Sequence, residues 1–81
     1  MDSLEFEELS GRVDGVAQAL LRLAAQLEME GVIHGPHVCE AWRQARPQAL
    51  ATDLPLQASR KVLLQLADQL DTARANRAER Q

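Results

Sequence analysis

The densest group of residues able to do chemistry lies between His34 and Glu40, where the chain reads His-Gly-Pro-His-Val-Cys-Glu. A zinc site takes imidazole and thiolate ligands and usually needs a second ligand pair from elsewhere. The sequence has no other His or Cys, so that pair would have to be carboxylates or come from another subunit. The alternative is that His34 and His37 cap backbone groups at a turn and Cys39 packs as a small apolar residue. We favour it and expect no metal and no cofactor.

Cys39 with His34 or His37 has the composition of a nucleophile and its general base. The sequence supplies no recognisable orienting group or oxyanion hole, and 81 residues leave little room for a substrate pocket. It also contains no glycine-rich phosphate loop. We therefore expect the protein not to be an enzyme.

The only tryptophan, Trp42, is followed by Arg43 and Arg46. Tryptophan and arginine are over-represented at the energetic centres of protein interfaces. Two interpretations stay open. Trp42 either plugs the core while both arginines face water, or it anchors a partner together with them.

The charge balance disfavours nucleic acid as the main partner, because the net charge is −3 and phosphate binding needs a basic patch. Residues 1–30 carry seven acidic and two basic side chains, whereas residues 60–81 carry three acidic and five basic ones. These two ends either attract each other or are simply solvated.

A small dimeric DNA-binding transcriptional regulator is the alternative function. Residues 32–51 could form a turn and short helix, and Arg74, Arg77 and Arg80 could contact phosphates. A Gly-Pro turn before that helix and a proline after it disfavour the tight corner of a helix-turn-helix.

Helices must position all of these residues. A first helix, about residues 3–30, carries an apolar heptad seam with spacing 4, 3, 4, 3, 4: Leu9, Val13, Val16, Leu20, Leu23 and Leu27. Gly31 is the usual residue just past a helix end. Pro36 starts a short helix at about residues 36–46. A third helix, about residues 53–79, has a second seam formed by Leu63, Leu66 and Leu70.

The two seams look alike, since residues 20–28 and 63–71 both read Leu-Leu-x-Leu-Ala-x-Gln-Leu-acid. Either the segment is duplicated or two helices with the same packing role have similar residues. Leu21, Val62 and Leu64 flank these seams, and a single neighbouring helix covers only a narrow stripe. We therefore predict one all-α domain: a long antiparallel helical hairpin with a short cross helix between the two long helices, dimerising as a coiled-coil-like bundle.

The remaining expectations concern setting and function. One cysteine allows no internal disulfide, and no signal peptide or membrane span is recognisable, which predicts a cytoplasmic protein. The single lysine among Ala-, Arg- and Leu-rich sequence is typical of a GC-rich bacterial or phage genome. We expect a homodimer that binds another protein as an inhibitor, adaptor or chaperone. We expect it not to bind a membrane. The predicted partner-binding residues are Leu21, Trp42, Arg43, Arg46, Val62 and Leu64.

Overall fold

The computed structural model describes residues 2–80, which form three α-helices and one short 3-10 helix. The α-helices are α1 (Ser3–Met29), α2 (Gly35–Gln44) and α3 (Leu54–Glu79), and the 3-10 helix spans Gln48–Leu50. No strand occurs between residues 2 and 80, so this part of the chain is all-helical, as predicted. None of the described helices combines the length and apolar character needed to cross a membrane.

Polar caps and a glycine set the ends of the long helices. The Asp2 carboxylate accepts a hydrogen bond from the Glu5 backbone N–H at 2.7 Å, and Asp53 caps α3 through the Leu56 N–H at 2.9 Å. Such caps satisfy backbone donors that the first helical turn leaves without partners. Gly31 follows α1 with φ 76°, a left-handed conformation that side chains disfavour.

The two long helices do not form the antiparallel hairpin predicted from the sequence. Glu28, near the end of α1, accepts hydrogen bonds from Arg74 and Arg77, near the end of α3. Earlier along both helices, Ala17 lies beside the same cavity as Val62. Because contacts advance together along α1 and α3, these helices run in the same direction.

Helix α2 is the element that returns the chain, and it packs antiparallel to α3. Its start lies near Arg74, while the carbonyl of Arg46, just beyond its end, accepts a hydrogen bond from Arg60 at 2.9 Å. The chain reverses direction once between α1 and α2 and again between α2 and α3, so α3 runs in the same direction as α1. The hairpin of the fold is therefore α2–α3, with α1 laid alongside α3.

The core is small and sits where the three helices meet. Its buried members are Ala24, Cys39, Leu66, Ala67 and Leu70. Alanines on α1 and α3 allow these helices to approach closely, since their side chains end at Cβ. Trp42 and three other partly buried apolar residues pack around this cluster: Leu21, Ala25 and Ile33.

A set of ion pairs surrounds one side of this core and links all three helices. We call it the arginine clasp; its members are Glu28, Arg43, Asp68, Asp71, Arg74 and Arg77. The Glu28 side chain is only 10% exposed and receives Arg74 at 2.8 Å and also Arg77. Arg74 extends to Asp71 at 2.7 Å, and Asp71 accepts from Arg43 at 2.6 Å.

Gly35, the first residue of α2, lies buried against this clasp. A Cβ added at Gly35 would overlap the Glu28 carboxylate and crowd the Arg74 guanidinium. The absence of a side chain at this position therefore allows α2 to start beside the ion pairs.

We expect Gly35→Ala to lower the free energy of unfolding by about 1–3 kcal/mol, because the clasp must shift to admit the methyl group. Urea unfolding followed by circular dichroism measures the change. Gly15→Ala is the matched control, since a Cβ there meets nothing within 4 Å; it should stabilise α1 by about 0.5–1 kcal/mol. Equal effects at the two positions would contradict the steric explanation.

The clasp also predicts an acid-sensitive stability. Hydrogen bonds from Arg43 and Arg74 lower the pKa of Asp71 to about 2. A carboxyl whose pKa is lower in the folded state stabilises the fold above its unfolded pKa and loses that contribution as the pH falls. We expect Asp71 to stabilise the fold above about pH 4 and to lose this effect by about pH 2.

The measurement is the free energy of unfolding of the parent and of Asp71→Asn across this pH range. The parent should be more stable near neutral pH, and the two proteins should converge as Asp71 becomes protonated. A constant difference down to the lowest pH would show that Asp71 does not titrate within the clasp.

Candidate functional site

Helix α1 leaves its strongest apolar pattern uncovered. Every residue from 2 to 16 is exposed. Five of the six predicted seam residues are between 47% and 63% exposed: Leu9, Val13, Val16, Leu20 and Leu23. The sixth, Leu27, is half-buried. The heptad seam of α1 is thus mostly unused in contacts within the chain, whereas Leu66 and Leu70 of the α3 seam are buried.

A different face of α1 packs against the rest of the chain. A line of partly or fully buried residues at spacing 4, 3, 4 runs along it: Ala17, Leu21, Ala24 and Glu28. Gln18 and Ala25, also partly buried, lie beside this line. This face lies about 100° around the helix from the seam, one residue step in angle. The alanines permit close approach to α3 and bring Glu28 to its arginines, so the larger seam residues turn outward.

An open groove results between the earlier halves of α1 and α3. Its volume is about 750 Å³. We call it the α1–α3 groove. Residues from both long helices line it, chiefly Val13, Val16 and Leu20 of α1 and Ala58, Val62 and Leu63 of α3. The lining is almost entirely apolar, and no carboxylate belongs to it. An apolar groove along two helices is the shape that an amphipathic helix fills.

Two arginines, Arg12 and Arg46, border this groove. Arg12 pairs with Glu8, one turn earlier on its own helix. Arg46 has no carboxylate partner within residues 2–80; its guanidinium donates to the Ala45 carbonyl at 3.1 Å. Arg60 lies next to it, donating to the Arg46 carbonyl. The groove therefore combines an apolar lining with positive charge at its border.

The structure separates the six predicted partner-binding residues. Arg46 and Val62 line the groove. Leu21 and Trp42 pack against the core instead, so Trp42 is at least partly a core residue. Leu64 is half-buried on α3 and does not line the groove.

Arg43 is occupied within the chain. Its guanidinium lies 3.0 Å from an Asp68 carboxylate oxygen and 2.6 Å from one of Asp71, and these hydrogen bonds raise its pKa. Arg43 therefore links α2 to α3, a role that residue type and spacing do not reveal.

In the His34–Glu40 segment the two histidine rings contact each other and the cysteine is buried. The exposed rings of His34 and His37 meet edge to face at 4.2 Å between centroids. Among residues 2–80, no three or more His, Cys, Asp or Glu side chains converge as a metal site would require. The Cys39 side chain is 1% exposed, and its Sγ lies 3.5 Å from the Ala67 carbonyl oxygen, to which the thiol donates.

Burial raises the pKa of the Cys39 thiol, and hydrogen bonding with Asp71 raises it further. A protonated, buried thiol is a poor nucleophile. We expect the native protein to react with a disulfide reagent at least about 100-fold more slowly than the urea-unfolded chain, because reaction requires opening of the core. Absorbance of the released thiolate follows the reaction, and equal rates would mean that Cys39 is accessible.

Sequence reasoning missed the α3 wall of the groove. Pro55, Ala58, Val62 and Leu66 recur at spacing 3, 4, 4 along one side of α3. That helical period was a usable signal, but small residues such as Ala58 carry little weight in an apolar pattern. Val62 was selected only as a flanking residue and Leu66 as a seam residue, and Pro55 and Ala58 were not selected.

Comparisons of the chain with known proteins give no related protein from which a role for the groove could be taken. No family model, characterised protein or solved structure matches the chain. The physical properties of the groove are therefore the basis for assigning a function.

Proposed function

We propose that this protein is a small non-catalytic interaction module that binds another protein and modulates its activity. The single observation that carries the proposal is the α1–α3 groove, an uncovered apolar surface bordered by Arg12 and Arg46. Soluble proteins rarely leave large contiguous apolar patches exposed unless those patches bind something.

The groove favours a helical target with acidic residues beside an apolar stripe. Its long walls are helices, so apolar side chains spaced three and four apart on a target helix could pack against both. Arg46 lacks a carboxylate partner among the described residues and could pair with an acidic side chain of the target. Such charges mainly select and orient the partner, while apolar burial supplies most of the affinity.

The alternative function, DNA binding, has weaker support. Arg74 and Arg77 are held by Glu28, and Arg43 is held by Asp68 and Asp71. Binding a phosphate with these guanidinium groups would break ion pairs that join the helices. Together with the net charge of −3, this argues for a protein target.

The test compares Val62→Glu with the matched control Val32→Glu. Val62 lines the groove, whereas Val32 is 67% exposed in the α1–α2 connection. A buried glutamate in the occupied groove should weaken target binding by about 10–100-fold. Affinity capture from a bacterial lysate, followed by binding and activity measurements with the purified target, provides the readout.

The parent and Val32→Glu should bind the target and change its activity, and Val62→Glu should do neither while still unfolding cooperatively in urea. If no protein is captured, or if both variants behave as the parent does, the proposed function is wrong.

A further inference from the structure

We infer that the resting occupant of the α1–α3 groove is helix α1 of a second copy of this chain, so that two copies insert α1 into each other's groove. The inference rests on the proposed function in one respect, that the groove is a binding surface. It adds the identity of the helix that covers this surface in the absence of a target.

The exposed area is the first argument. The accessible surface is 6129 Å², whereas a compact monomer of this mass exposes about 4,850 Å². The radius of gyration is 14.6 Å, compared with about 11.7 Å for a compact domain of this length. The excess of about 1,300 Å² per copy is in the range that a stable homodimer buries.

The pattern of exposed residues is the second argument. Phe6, which is 62% exposed, extends the α1 seam by one further position. The seam then occupies seven consecutive heptad positions from Phe6 to Leu27. A repeat of 3.5 residues keeps one stripe facing a partner helix along its whole length. A second α1 has the same repeat as Val13, Val16 and Leu20, which line the groove, so the inserted seam and the α1 wall of the groove share one spacing.

The first half of α1 also needs external cover. Gly11 and Gly15 each cost about 1 kcal/mol relative to alanine in a helix. No residue from 2 to 16 is buried, so tertiary contacts within the chain contribute little there. An isolated helical segment of this length is marginal in water. Packing in the groove of a second copy would supply the missing apolar contacts.

Charge is the fourth argument for a second copy. Glu5 of α1 lies beside the seam, next to Phe6, and has no ion-pair partner within residues 2–80. Arg46 at the groove border also has none there. The inserted helix therefore brings the Glu5 carboxylate, beside its apolar seam, to a groove that offers arginine and no acidic lining.

This arrangement regulates the proposed function. A foreign helix reaches the groove only by displacing α1 of the second copy. Target binding then competes with dimerisation and depends on the concentration of the protein itself.

Sedimentation equilibrium of the full chain over a wide micromolar range tests the inference. The parent should have about twice the 9.0 kDa mass of one chain and dissociate on dilution. Leu20→Glu places a charge in the seam and should raise the dissociation constant by at least about 100-fold. Leu4→Glu is the matched control: Leu4 is 77% exposed and lies on the opposite side of α1, so the dimer should persist.

Amide hydrogen exchange locates the interface independently. Protection of residues 3–16 should rise with concentration in the parent and in Leu4→Glu, and it should stay low in Leu20→Glu. If Leu20→Glu fails to fold, the concentration dependence in the parent and Leu4→Glu decides the question.

The outcomes separate this inference from the proposed function. A monomeric parent that still captures a target in a Val62-dependent way overturns the inference and leaves the function in place. A dimer sensitive to Leu20→Glu that captures no protein supports the inference and overturns the function. A dimer that resists Leu20→Glu uses another face, which also overturns the inference.

Discussion

The nearly buried Glu28 carboxylate largely determines which face of α1 packs against the rest of the chain. Its two oxygens are shared between Arg74 and Arg77. Leaving such a group buried without partners would be costly, so α1 must lie where these guanidinium groups can reach it. The alanines in line with Glu28 then face α3, and the leucine and valine seam faces outward. The groove follows from this orientation.

Several parts of the fold were predictable because they depend on residues close in sequence. The helical periodicity, the glycine that follows α1 and the proline near the start of α2 are all local features. The direction of α1 relative to α3 was not predictable in the same way. Residues 20–28 and 63–71 match so closely that apolar pairing alone is compatible with either direction. The deciding contacts, between Glu28 and Arg74, join residues 46 positions apart.

The candidate site shows the same division. Val62 was recognisable as an apolar residue beside a seam, and Arg46 as an arginine near the lone tryptophan. Both border the groove. Arg43 looked equivalent to Arg46, but only the folded chain places it beside Asp68 and Asp71. The seam of α1 was visible in the sequence. Its exposure was not, because it depends on the neighbouring face, which contains Ala17 and Ala24, packing against α3 in its place.

The clasp and the groove share helix α1: Glu28 lies near its end, and the groove-lining residues lie in its middle. Glu28 is 15 residues beyond Val13, a distance of about 22 Å along an α-helix. Because the helix is rigid over this length, the orientation that Glu28 fixes at the clasp also sets which side chains of α1 face the groove.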